Sequence, residues 1–510
     1  MDMKIINDTL DIRETIFEGS PEQGFECDIL LPDYCPDVRR ILKCHVTPKV
    51  SQCYQNGDRV NVDGFILVKV YYLCDENKIH AYDSKMPFSK TMEIKESADG
   101  ISVSVGAATN YVNCRAINQR RLDVRGAITL KTRITGKTSQ TVVSDAAGDG
   151  IQLRKKTVTG SSLCSEASAQ FSVQEEESIS GTHVNSVLRC EGVAMFGDVQ
   201  IIPNKAIMKG ELKLTTVYTD AEGMTPVTVV HTLPISRIMD IERLTTDCKL
   251  EIKTDVVLAE AFPKQDENGE FTKLGFDVKV NIFAKCYESK AITLATDAYS
   301  TQYNCNYTSK NVPLECVNSV IDKTFTHKTV TELSKTSIER VVDLWTSAKS
   351  PVSTLENSKL TVQIPIDVFA FYLSEDGNAD FSENTVDVTF DMAIDDDCQE
   401  VKFEPEIKIL SSDYSFVAPN KVELCVELNV LGTLSQNQTD RCITELNVDY
   451  SSAKKAENAP ALTIYYCDCG ENVWDIAKRY NTCPECIIAE NSLECETINE
   501  KKVILIPLAN

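Results

Sequence analysis

At 510 residues the chain is too long for one hydrophobic core, and at roughly 150 residues per domain it implies three or four. Its 42% hydrophobic content is globular, and no window approaches the roughly 18 apolar residues that cross a bilayer. A formal charge of −24 excludes nucleic acid and anionic lipid as main partners, because both repel it.

The opening residues, MDMKIINDTL, are acidic and lack the apolar stretch of a secretory leader, so a cytosolic protein is expected. Residues 1–26 read as an arm holding a short strand over Leu10–Phe17. An extended entry follows at DILLPDYCPDVRRIL, where Pro32 and Pro36 disfavour helix. The next strand, Val60–Tyr72, reads VNVDGFILVKVYY, and the chain writes it three times. Offsets of 146 and 300 residues land on AIMKGELKLTTVY, ending at Tyr218, and LTVQIPIDVFAFY, ending at Tyr372. In the second copy Met208, Leu212, Leu214 and Tyr218 alternate with Lys209, Glu211, Lys213 and Thr215. That period of two marks a half-buried β-strand. The outer faces of the first and third copies are more apolar (Phe65, Leu67, Tyr71; Phe369, Phe371), as expected if both faces are covered there.

The same offsets relate VRRILKC (Val38–Cys44), VNSVLRC (Val184–Cys190) and IERVVDL (Ile338–Leu344). Each repeated strand runs into turn residues: Asp75-Glu76-Asn77, Asp220-Ala221-Glu222-Gly223 and Glu375-Asp376-Gly377-Asn378. A long alternating strand then closes each unit, through Leu122–Leu130, Leu274–Ile282 and Val422–Val430. The expected architecture is therefore mainly β: three tandem sandwich-like modules over 1–145, 151–312 and 313–450. Ser144–Gly150 reads as a linker, and so does Ser451–Ala461 (SSAKKAENAPA). The acidic thickening between Glu375 and Glu406 reads as a solvated face.

The remaining segment, 462–510, reads β-α-α-β. Ile464-Tyr465-Tyr466 starts it, and Val473, Ile476, Ala477 and Tyr480 fall on one helical face. Asn472 is placed to cap that helix, and Pro484 suits the first turn of a second. Asn491 is placed to close the second helix in a left-handed conformation, before the strand Val503–Pro507. Trp474 flanks the apolar stripe, where partial exposure would make it an anchor for a partner. Twenty cysteines are expected to be thiols in a cytosol, with Cys44 and Cys190 packing as small hydrophobes. Five crowd the last segment, and Cys467, Cys469, Cys483 and Cys486 offer the ligand count of a tetrahedral zinc site. Zinc, free thiols and disulfides are the states open to them.

The run YYCDCGENVWDIAKRYNTCPECIIAENSL, ending in VILIP, resembles a LysM domain through Gly470, Trp474, Ile476, Ala477, Tyr480, Asn491, Ile506 and Pro507. The β-modules are similar to SPOCS spore-coat domains in the Leu31-Pro32 entry, the apolar run before Cys44 and the V-x-V-x-G strand at Val60–Gly64. Three SPOCS-like units followed by one LysM is the organisation of SipL-like spore-coat morphogenetic proteins. The resemblance implies a mother-cell adaptor recruited to the forespore surface, its LysM domain docking on a coat-assembly ATPase. The β-modules would present an extended surface.

LysM domains ordinarily bind N-acetylglucosamine polymers through two turns, which here are Gly470-Glu471-Asn472-Val473 and Glu490-Asn491-Ser492-Leu493. A carbohydrate anchor to peptidoglycan is thus the alternative to protein docking. No enzyme is expected. Gly136-Lys137-Thr138 lacks the glycine that a phosphate loop needs at Lys131, and the five histidines are scattered.

Overall fold

The computed structural model describes residues 4–76, 78–94, 99–148, 150–179, 183–220, 226–394, 401–454 and 462–507. Among the described residues the regular elements are strands except for two short helices near the C-terminus, the mainly β class that the alternation predicts.

The first module comprises β1 (Lys4–Gly19), β2 (Glu22–Leu30), β3 (Arg40–Asn56), β4 (Arg59–Leu73), β5 (Ile79–Glu93), β6 (Asp99–Asn118) and β7 (Arg121–Ala147). β1 and β2 lie end to end along one edge of β7, and β6 pairs with its other edge. A second antiparallel sheet, β3-β4-β5, is centred on the repeated strand. The two sheets face each other across one core. Val62, Ile66, Val68, Val70 and Tyr72 of β4 share it with Leu122, Val124, Ile128 and Leu130 of β7. Alternation places each set on one side of its pleat, so burying both requires only that the sheets stack.

The second module repeats this plan with β8 (Ile151–Ser178), β9 (Ser186–Ile202), β10 (Lys205–Thr219), β11 (Pro226–Asp240), β12 (Lys249–Lys264) and β13 (Lys273–Ser300). Its sheets are β12-β13-β8 and β11-β10-β9. The third comprises β14 (Tyr303–Glu332), β15 (Ile338–Ala348), β16 (Val352–Glu356), β17 (Lys359–Ser374), β18 (Ala379–Ala393), β19 (Val401–Phe403), β20 (Glu406–Ala418) and β21 (Lys421–Ala453). There β21 takes the part of β7, and β17 that of β4. Of the expected turns, Asn77 and Ala221-Glu222-Gly223 lie outside the described residues.

One repeat position shows local sequence setting local structure. Gly64 and Gly210 lie opposite bulges in β3 and β9, where a Cβ would meet the Lys49 and Met195 carbonyl oxygens at 2.2 and 1.8 Å. Only glycine fits so close a backbone approach. The third module has Ile364 at the equivalent position, followed by Pro365. Its partner strand is broken there, into β15 and β16.

The stretches expected to separate the modules are themselves structured. β7 continues to Ala147, so most of the Ser144–Gly150 linker is strand, and Gly150, at φ 71°, directly precedes β8. The break placed at 312/313 falls inside β14. Of the second expected linker, Ser451–Ala453 finish β21, and 455–461 lie outside the described residues. The long strands overshoot the sandwiches as two-stranded ribbons, β1 with β7, β8 with β13 and β14 with β21. One apolar face of each ribbon meets the others. Leu10, Val142, Val158, Leu294, Val312 and Cys442 form one dry cluster. A ribbon with only one apolar face reads as a weak or linker-like segment until its neighbours cover that face.

The modules close on one another instead of presenting an extended surface. At equivalent repeat positions stand Lys43, Arg189 and Asp343, and the last two pair bidentately across the second and third modules at 2.9 and 2.7 Å. Arg189 is 5% exposed. Beside them Tyr71 of the first module packs on Trp345, Phe369 and Phe371 of the third. The apolar outer faces of β4 and β17 are thus covered, as their composition implied.

Candidate docking face on the C-terminal domain

The last segment folds as β22 (Leu462–Cys467), α1 (Val473–Tyr480), α2 (Pro484–Asn491) and β23 (Lys502–Pro507), the expected β-α-α-β order. Asn472 caps α1 by accepting from the Trp474 N–H at 2.9 Å, and Pro484 occupies the first turn of α2. The left-handed residue that closes α2 is Ser492, one position beyond the expected Asn491. The Asn491 amide is spent instead on bridging α2 to β23: it donates to the Ile487 and Leu505 carbonyls and accepts from the Leu505 N–H.

The residues read as a binding site are for the most part used by the fold. Gly470, at φ 92°, turns the chain, and its N–H donates to the Ile498 carbonyl at 2.7 Å. The Glu471 carboxylate accepts from the Tyr465 hydroxyl and the Asp468 N–H. Val473 is core, and Leu493 packs against that core. Glu490 and Ser492 are exposed. Trp474, whose place beside the apolar stripe left partial exposure open, is only 4% exposed. Its ring meets Tyr299 edge-on with centroids 5.1 Å apart, and its indole N–H donates to Asp297 at 2.8 Å.

Both of those partners lie at the end of β13, on the tip of the ribbon bundle. Asp297 also accepts from Lys478 at 2.6 Å and from the Tyr307 hydroxyl at 2.8 Å. Burial pulls the Asp297 pKa up, but these three donors outweigh it and hold the carboxyl below its ordinary value. The Tyr299 hydroxyl completes the joint by donating to the Thr482 carbonyl at 2.6 Å. Sequence gives no sign of this contact, since Asp297 and Trp474 are 177 residues apart.

The four cysteines weighed as zinc ligands do not assemble. Cys483 and Cys486 form a disulfide, Cys467 is buried, and exposed Cys469 donates to the Asn499 carbonyl. Proximity across one helical turn favours the Cys483–Cys486 pair over a four-point site.

With α1 turned to the scaffold, the other side of the domain faces water. β22 and β23 pair Leu462 with Pro507, Ile464 with Leu505 and Tyr466 with Val503. Cys467, Ile504 and Ile506 point inward. On the outer face Ile464 is 62% and Tyr466 78% exposed, flanked by exposed Leu462 and Val503. The reading of Ile464-Tyr465-Tyr466 as a strand contained this signal, because alternation puts Ile464 and Tyr466 on one face.

Residues 37–117 and 183–261 match the family model described as SipL, SPOCS domain. They run from the entry to β3 as far as β6, and from the entry to β9 through most of β12. The corresponding strands of the third module and the C-terminal domain lie outside the matched segments. No curated protein and no solved structure matches the chain. Two of its three β-modules thus match the SPOCS domain over part of their length, which supports a likeness of the chain to SipL-type, sporulation coat-related proteins.

Proposed function

We propose that this chain is a non-enzymatic adaptor of spore-coat assembly in the mother cell. Its trio of β-modules is the scaffold, and its LysM-like C-terminal domain docks on a coat-assembly ATPase at the forespore surface. The observation that carries the reading is the apolar outer face of β22 and β23, with Ile464 and Tyr466 open to solvent. Contiguous exposed aliphatic and aromatic side chains on a small domain mark a protein-binding surface. The fixed trio beneath supports this by holding the domain through α1, which leaves that face outward. Against a glycan groove stands the commitment of Asn491, whose amide bonds are all to the domain's own backbone.

The test uses the full chain from sporulating cells, with Ile464→Glu and Tyr466→Glu introduced together. The ATPase should co-purify with the unaltered chain and be lost from the variant, whose thermal unfolding stays unchanged. Undiminished capture by a folded variant would remove the docking face. Saturable binding of N-acetylglucosamine oligomers by the unaltered chain would turn the reading toward a carbohydrate anchor.

A further inference from the structure

Cys164, Cys248 and Cys286 converge at one end of the second module, their sulfurs all within 4.8 Å of one another. They come from three separate pieces of chain. Cys286 is the fourteenth residue of β13, with its side chain in the core. Cys164 is the extra residue of a bulge in β8: Ser165 pairs with Cys286 and Leu163 with Tyr287, leaving Cys164 between them. A bulge re-aims a side chain that regular pairing would turn away. Cys248 is delivered by the turn before β12, where its N–H donates to the Thr245 carbonyl. The Thr245 hydroxyl lies 3.3 Å from its sulfur.

The repeat supplies an internal control. Each module bulges at the equivalent place. In the first the extra residue is Ile16 opposite Ile134, and in the third it is Asn318 opposite Leu434. Ile134 and Leu434 are buried like Cys286. The fold therefore asks for no thiol here, and in the first module two isoleucines fill the same space. Only the second module replaces that pair with sulfur and brings a third cysteine to it.

We propose that Cys164, Cys248 and Cys286 form a binding site for a thiolate-preferring divalent metal ion of the zinc type. Zinc–thiolate bonds of about 2.3 Å place the sulfurs of a tetrahedral site about 3.8 Å apart. Reaching that from the present spread requires only a modest contraction. Binding exchanges three S–H protons, released to solvent, for three metal–sulfur bonds. Cys164 is the least buried of the three, so the fourth position opens on its side to water. A buried site joining β8, β13 and the β11–β12 turn would pin the turn that connects the module's two sheets onto the β12-β13-β8 sheet.

The experiment uses the full chain with its thiols reduced, under anaerobic conditions. Zinc content is measured after equilibration against a metal-buffering chelator, and cobalt(II) serves as a spectroscopic probe for thiolate-to-metal charge transfer. Cys164→Ile/Cys286→Ile copies the pair of the first module and should keep the fold. Cys248→Ser is a second, independent variant, and Cys467→Ser/Cys469→Ser controls for the C-terminal thiols. The proposal expects one equivalent of zinc and a charge-transfer band in the unaltered chain and in the control. Both should be lost in the other two variants, and zinc should raise the melting temperature only where it binds. A folded, reduced chain that takes up no zinc overturns the proposal. So does binding that survives in Cys164→Ile/Cys286→Ile or disappears in the C-terminal control.

Discussion

The junction among the three β-modules and the junction between the scaffold and its C-terminal domain are built differently. The first is broad and dry: ribbons share apolar faces, aromatic side chains of two modules interleave, and Arg189 and Asp343 pair out of contact with water. The second is narrow and largely polar. It centres on one carboxylate, Asp297, which gathers an indole, an ammonium and a phenol, with Tyr299 beside it. Apolar contact over a wide area couples parts into one cooperative unit, whereas a few hydrogen bonds between small surfaces hold parts in place without merging their stabilities. The trio is thus a single scaffold, and the C-terminal domain is an attachment positioned on its tip.

The sharpest way to break the contrast is to strike the buried pair. Asp343→Ala leaves the Arg189 guanidinium buried beside only Glu191, and should cost about 3–5 kcal/mol of global stability in denaturant unfolding. Replacing both residues with apolar side chains of similar volume should recover most of it. A loss confined to one module would show that the trio does not unfold as one. A smaller and more local effect is expected at the tip. Asp297→Ala leaves the Trp474 indole N–H unpaired, a cost of about 1–3 kcal/mol. It should raise hydrogen exchange in 462–507 while the unfolding midpoint of the scaffold holds. Equal loosening of the β-modules would erase the distinction between the two junctions.

The mildest probe is pH. His45 lies against Phe369 and Trp345, and burial is the main reason its pKa falls below the ordinary 6.5. The unfolded chain therefore takes up the proton first as pH drops below that value. Stability should decline from there until the folded value is reached. His45→Phe should flatten this acid limb without abolishing it, because the variant still carries His80 and His231, also held low by burial. An identical pH profile in the variant would mean that the contact between the first and third modules does not feel this ring.

How much was legible varies with the range of the interaction. The alternation in β4, β10 and β17 revealed strands, their inward faces and the threefold repeat, because a pleat imposes its period on any sequence that buries one side. Caps such as Asn472 and Pro484 were legible for the same reason: each acts within a turn of its own position. Ser144–Ala147 was misread because small and acidic residues suit linkers. In the fold they lie in a strand whose partner, Lys4–Ile6 among it, sits at the other end of the module. The burial of Trp474 could not be decided from sequence because the surface that covers it belongs to β13, which no helical wheel contains. The thiol cluster was hidden likewise, since a bulge and a turn had to bring Cys164 and Cys248 to Cys286.

What the amino-acid order alone determined is the β class, the tripled unit, the β-α-α-β tail and the local signals that start and stop its helices. Periodicity and capping operate between near neighbours, so they survive in one dimension. Tertiary structure alone decided that the modules close into a trio, that Arg189 meets Asp343 where the repeats diverge in charge, and which side of the tail faces water. Those outcomes depend on faces meeting from opposite ends of the chain, where complementarity of shape and charge exists only after folding.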